Sequence, residues 1–468
     1  MSAATTDKND YRTAGTAWAN AWKIAAGVGA LGLAGAGAGF AADGQRFAYS
    51  YLFAFVVFLT VAIGATFFVL LQHLTNAGWS VTVRRTAEFF MSALPIFALL
   101  FLPIAANVDH LFPWWSGDHG AHHAPAAAGE HGHAAPEHAA PESGHAEPAQ
   151  GTAEPAAGGH GQHVPGHRLS EEEIEHQLHG EVMASKGWFL SKGFFAVRAV
   201  LYFLFWTFLA MRLFRNSTLQ DTTKDLKLTA SSQAMAPAAT FGLALTTTFA
   251  AFDWIMSLLP NWYSTIFGVQ IFATTMVAIL SVLVLVSYAM RASGVSGGAI
   301  TTEHFHDLGK LLFGFNVFWA YISFSQFFLI WYASIPEETV FFHIRWSNGP
   351  WKSVSLAILF LHFVLPFALL LSRNTKRYAG QKVLALAAGL LLTMHVVEMY
   401  WLVLPNYAAA KGIGPQLSEA LAPHWMDLAC LLGVGGVYLA AVFYRMSQHP
   451  VVPVGDPRFA RSKRFENV

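Results

Sequence analysis

Cysteine is almost absent: Cys430 is the only one in 468 residues. That excludes a disulfide within the chain, a thiolate-held iron–sulfur cluster and a covalently attached c-type haem. Any redox centre must be non-covalent, His-ligated or carried by a partner. Charge is scarce too. Asp, Glu, Lys and Arg together make up 12% of the residues against 54% apolar ones, and the mean hydropathy is +0.41. So few charges cannot solvate a soluble surface of this size, which rejects the two or three soluble domains that length alone would suggest. The 28 basic residues are matched by 28 acids, so no net positive charge points to nucleic acid.

The chain is instead rich in long apolar runs. A helix crossing about 30 Å of hydrocarbon needs roughly 20 apolar residues. Such runs fall at 22–42, 49–72, 87–106, 188–211, 237–258, 265–290, 309–333, 352–372, 383–404 and 426–444. They read as helices because a lone strand would leave its backbone unpaired in lipid. The expected fold class is therefore an all-α integral membrane protein of about ten transmembrane helices. The first run is rich in glycine (Gly27, Gly29, Gly32, Gly35, Gly37, Gly39), which suits close helix packing. A cleaved signal is the alternative for it, with the AADG after Phe40 as processing site, but the preceding region of about 20 residues is long for a signal.

Placing the chain start inside puts 20 of the 28 Lys and Arg residues on inner segments. By the positive-inside rule both termini are then cytoplasmic, as in a multi-pass protein of a bacterial inner membrane. The one long hydrophilic insert, 107–187, then lies outside and holds 13 of the 21 histidines. It could collect metal or buffer protons, but its low apolar content favours a largely disordered periplasmic insert. Within it 168–182 is expected to form a short surface helix opened by Ser170.

Ionisable groups within spans are costly and are functional candidates by default. Asp253 and Glu398 lie in the outer thirds of their spans, and His395 shares a helix face with Glu398 three residues away. Asn316, Ser323 and Gln326 recur at helical spacing, a stripe that faces protein rather than lipid. Arg198 and His362 sit near mid-membrane. The bland readings are specific. Arg198 could neutralise Asp253 or Glu398, His362 could be a packing histidine bonded to a backbone carbonyl, and the inner-end groups His73, Glu88, His304, His306 and Asp307 could be interfacial anchors.

An internal repeat adds weight to the acids. Asp253 precedes Leu259-Pro260-Asn261, and Glu398 precedes Leu404-Pro405-Asn406, with an acid-to-proline interval of seven in both. Arg198-Ala-Val-Leu resembles His362-Phe-Val-Leu one helix earlier. The expected organisation is a first helix with the N-terminus (1–46), a four-helix bundle (47–106 and 188–258), a second four-helix bundle (259–408), and a last helix with a basic tail (409–468). The two bundles would be a parallel repeat.

At these residues the chain resembles a known family. GWSVTVRRTAEF (78–89), FDWIMSLLPNWYSTIFGVQIFA (252–273), AYISFSQFFLIWYASIPEETVFF (320–342), HFVLPFALLLSRNTKR (362–377) and MHVVEMYWLVLPNY (394–407) look like the second NrfD-like membrane subunit of alternative complex III, the ActF type. The resemblance implies two four-helix bundles plus two peripheral helices, in a complex that oxidises quinol and passes electrons to a cytochrome c or directly to a terminal oxidase. It implies partners: a multihaem cytochrome c, an Fe–S subunit, the first NrfD-like subunit and small membrane subunits. Haem c and Fe–S clusters would lie in those partners, with no cofactor on this chain except quinone or quinol. The His-rich insert departs from the family pattern.

In that frame Asp253, Glu398 and His395 are the proton-relay candidates. Gln326, Ser323 and Arg198 are the candidates for hydrogen-bonding quinone or water, and no metal site is expected. Two other classes remain open from the residues alone: a haem-b subunit ligated by His362 and His395, and a secondary transporter.

Overall fold

The computed structural model describes residues 11–115, 185–346, 350–377, 381–410 and 423–467. Most of the 107–187 insert, including the helix expected over 168–182, lies outside the described residues. Among those described, every regular element is helical, and ten helices are long and apolar enough to cross a membrane. The chain is a multi-pass membrane protein. The spanning helices are α1 (Ala21–Ala42), α2 (Gly44–Leu74), α3 (Val81–Ala106), α4 (Lys192–Thr223) and α5 (Leu226–Trp254), then α6 (Phe267–Ala292), α7 (Thr302–Ala333), α8 (Pro350–Leu371), α9 (Lys382–Ala410) and α10 (Trp425–Gln448).

Proline shapes two of them. Helix α3 is three consecutive pieces, with new starts next to Pro95 and Pro103, where a backbone donor is missing. Helix α8 is π-helical over Ile358–Val364, just before Pro366. A longer hydrogen-bonded ring there absorbs the break.

Helices α2, α3, α4 and α5 pack as one ring and α6, α7, α8 and α9 as a second. The rings meet along α2, which touches both α6 and α9, and along the α5–α6 contact. Helices α1 and α10 pair with each other and lie on α2. Their crossing has no room for side chains: a Cβ on Gly32 would sit 2.2 Å from the backbone nitrogen of Gly433, and one on Gly436 would sit 2.4 Å from Cα of Gly29. With lipid as the alternative neighbour, such backbone approach supplies the dispersion contacts that hold a helix pair together.

Two boundaries differ from the sequence reading. Helix α3 starts at Val81 rather than 87, so Arg84 and Arg85 are fully buried within it rather than anchored in an inner loop. Helix α9 runs through Leu404-Pro405-Asn406 to Ala410, whereas α5 stops at Trp254, ahead of Leu259-Pro260. The reason is local. Pro405 leaves the Trp401 carbonyl without its helical donor, and Arg345 from the short helix Pro336–Trp346 supplies one, Nε to Trp401 O at 3.0 Å. Asn406 Nδ2 donates to Leu402 O at 2.9 Å. Among the described residues no side chain is seen to donate to the Met256 carbonyl, the corresponding group ahead of Pro260, and α5 ends at Trp254.

The described ends of the chain meet on one face. Val451 N donates to Tyr11 O at 2.8 Å. Beyond α10 the tail crosses the ends of both rings. Asp456 accepts from Arg84 at 2.8 Å, Ser462 donates to Trp79 O at 2.6 Å, and Asn467 donates to Asp307 at 3.1 Å.

Candidate functional site

The two rings have unlike interiors. The first is lined with aromatics: Trp254 of α5 lies against Phe55, Phe101, Phe203, Tyr202 and Trp206. Asp253 is fully buried there and turns to α4. There Arg198 grips both oxygens, Nε to Oδ2 at 2.9 Å and Nη2 to Oδ1 at 2.6 Å, and the Tyr202 hydroxyl donates at 2.8 Å. The guanidinium packs over the rings of Phe189 and Phe194, 3.8 and 4.3 Å from their centroids, and its Nη1 donates to Phe189 O at 2.8 Å. Such planar, bidentate pairing is the geometry in which an arginine and a carboxylate hold each other best.

Beside this pair, at the end of the ring where α5 stops, a pocket of about 270 Å³ is lined by Lys186, Phe189, Phe252, Ser257 and Trp262 among others. The Lys186 ammonium caps the broken end of α5, donating to Pro260 O at 2.6 Å. Burial lowers its pKa from the usual lysine value to about 8.

The second ring is polar inside. Glu398 of α9 is 1% exposed and is held by neutral donors: Thr274 Oγ1 of α6 to Oε2 at 2.5 Å, Trp319 Nε1 of α7 to Oε1 at 2.8 Å, and the Gln270 side chain of α6. No cation pairs with it among the described residues. Around it are buried polar atoms without a hydrogen-bond partner: both side-chain atoms of Asn316, both ring nitrogens of His362, Nδ1 of His395, Oε1 of Gln270 and Oγ of Ser323. Native interiors rarely leave such atoms unserved by protein or water. His362 lies edge-on to the Trp319 ring, with centroids 3.9 Å apart.

His395, one turn from Glu398, points its hydrogen bonding elsewhere. Its Nε2 is 3.1 Å from Thr60 Oγ1 and 3.3 Å from Val57 O of α2, so it joins the two rings. Gln326 accepts from Ser264 at 3.2 Å. Gln326 and Ser323 lie on α7 and Arg198 on α4, in different rings. The three do not converge on one site that could clasp a quinone, and the donors of Arg198 are committed to Asp253 and Phe189.

Several partners escaped the sequence reading. Trp319 completes the Asn316–Ser323–Gln326 stripe at helical spacing, a signal that was present but masked by its apolar class. Thr274 and Gln270 gave none. Arg345, which falls between the expected spans 309–333 and 352–372, is fully buried, with Phe341 O, Trp401 O and Leu402 O as acceptors at 2.9, 3.0 and 3.0 Å. Burial pulls its pKa down to about 9, which still leaves it charged at neutral pH. Arg46, between the expected spans 22–42 and 49–72, pairs at 2.5 Å with Asp427, which Ser50 also serves at 2.6 Å. At the opposite end Glu88 is enclosed by Arg84 at 2.8 Å, Arg85 at 2.9 Å and Ser217 at 2.6 Å, and Arg85 reaches Asp221 at 2.8 Å. It belongs to an ion network tying α3 to α4 and the tail, and is an anchor in that sense.

Compared with known proteins, the chain matches no family model and no curated protein sequence.

Proposed function

We propose that this chain is a proton-handling and scaffolding membrane subunit of a respiratory quinol:electron acceptor oxidoreductase of the alternative complex III type, in a bacterial inner membrane with both termini cytoplasmic. The observation that carries the reading is Glu398, a carboxyl enclosed by neutral donors inside a polar ring. An enclosed carboxylate facing a guanidinium keeps its charge, because protonating it would strand the partner. One facing only hydroxyl, amide and indole donors has no such lock. Thr274, Trp319 and Gln270 stabilise the charged form by hydrogen bonds, while a proton relieves the cost of charge burial. A group balanced in this way can take up and give off a proton, which a relay requires. The partnerless atoms of Asn316, Ser323, Gln270 and His395 would hold the water that carries the proton to and from it.

Asp253 falls to the structural side of the same argument, since Arg198 holds it. Electron transfer would occur in partner subunits. Quinone is assigned no residues here, because the three candidates do not share a site. The assembly part of the proposal is tested by gentle detergent extraction and mass spectrometry of whatever co-purifies. Chains carrying haem c and Fe–S clusters are expected; recovery of an active monomer or homodimer without redox partners would contradict it.

A further inference from the structure

His362 is the most exceptional group in the second ring. Its side chain is inaccessible to solvent, both ring nitrogens lack a hydrogen-bond partner, and it sits in the π-helical segment Ile358–Val364. A histidine kept only for packing would satisfy at least one nitrogen on a backbone carbonyl, and this one satisfies neither. π-helical turns are uncommon and frequent at functional sites, and here the turn that accommodates Pro366 also carries His362. Its ring touches Trp319 at 3.9 Å, and the same indole donates its N–H to Glu398 at 2.8 Å. One side chain therefore contacts both the carboxyl and the imidazole.

We propose that His362 is the proton-exchange partner of Glu398 and that Trp319 is the positioning residue governing transfer between them. The inference rests on the reading of Glu398 as a proton carrier. In the transfer the O–H bond of the Glu398 carboxyl breaks and an N–H bond forms at a His362 ring nitrogen, by way of intervening water, since the two groups make no direct hydrogen bond. The products are a carboxylate, which the Trp319 and Thr274 donors hold, and an imidazolium. The imidazolium then releases its proton to water on the far side of Trp319, and Glu398 is reprotonated from water on its own side. Only protons move, and no oxidant or reductant is needed. With the indole N–H on Oε1, the carboxylate left by the transfer keeps a hydrogen bond.

The test uses the assembled complex in liposomes, with proton release read alongside the infrared C=O band of the Glu398 carboxyl, identified by its loss in Glu398→Gln. His362→Gln keeps the size and hydrogen-bonding atoms but cannot carry the proton. It should lower proton release on the order of tenfold or more while leaving the Glu398 band in place. Trp319→Phe keeps a ring against His362 and removes only the N–H. It should shift the Glu398 band to higher frequency and slow release severalfold, and it serves as the independent arm if His362→Gln fails to assemble. Loss of release in Glu398→Gln with full release in His362→Gln would overturn this proposal and leave the reading of Glu398 standing. An unchanged band and unchanged release in Trp319→Phe would overturn it as well. Full release in Glu398→Gln would remove the underlying reading itself.

Discussion

Arg198 closes a two-toothed clamp on Asp253, with nitrogen–oxygen distances of 2.9 and 2.6 Å, across the contact between α4 and α5. In the second ring the position that the repeat makes equivalent to Arg198 is His362, and it donates nothing to Glu398. The repeat thus carries two acids into opposite circumstances, one neutralised by a cation and one not.

That contrast makes the clamp a matter of stability. Arg198→Leu leaves a buried carboxylate unpaired and should cost about 3–5 kcal/mol or block assembly. The double variant Arg198→Leu/Asp253→Leu should recover much of that loss. Thermal stability of the extracted protein by size-exclusion chromatography measures both; a single variant as stable as the parent would refute the clamp.

Arg345 should matter in the same way for a different reason. Arg345→Met leaves the Trp401 carbonyl without its donor, and a buried group left unserved costs about 1–3 kcal/mol. Amide hydrogen exchange in α9 beyond Trp401 should accelerate. Unchanged protection there would show that Pro405 is accommodated without it.

The α1–α10 crossing gives a steric prediction. Gly32→Val places atoms where backbone already lies, 2.2 Å from a Cβ to Gly433 N, and should cost at least the ~1–3 kcal/mol usual for overpacking. Gly27→Ala, where a Cβ meets nothing within 4 Å, should be neutral. Cross-linking yield between cysteines placed on α1 and α10 reports the outcome, and equal yields in the two variants would contradict the packing.

Asp456 sets a pH dependence for the docking of the tail. Burial alone would raise its pKa, but the Arg84 guanidinium and Arg458 outweigh it and hold the carboxyl well below the usual carboxylate range. The folded state therefore binds fewer protons than the unfolded one between those two values, so stability rises with pH there. The contribution is complete above about 3.9 and is lost as pH falls through the lower, folded value. Exchange of the Val451 amide, bonded to Tyr11 O, should rise steeply only in that acid window, and Asp456→Asn should abolish the step. A step centred near neutral pH would contradict the assignment.

The spans were legible because length and apolarity are properties of single segments, and ten long apolar helices are present. The Arg198–Asp253 contact was also within reach, since opposite charges within apolar spans have few other partners. The polar interior was not. Glu398 is served by Trp319 and Thr274 from two other helices, and whether an indole nitrogen or a threonine hydroxyl faces protein depends on helix rotation, which packing decides. Pro405 misled because its cost depends on a donor from elsewhere, and Arg345 is 56 residues away from the carbonyl it serves. The π-helical turn at His362 left no mark in hydropathy either.

If Glu398 carries protons, its loss must show in proton release by the assembled complex in liposomes. Turnover with quinol and cytochrome c should be followed in Glu398→Gln and in Asp253→Asn, normalised to complex. Glu398→Gln should assemble and lose turnover or proton release on the order of tenfold or more, whereas Asp253→Asn should act mainly through stability. Full turnover and full proton release in assembled Glu398→Gln would contradict that role.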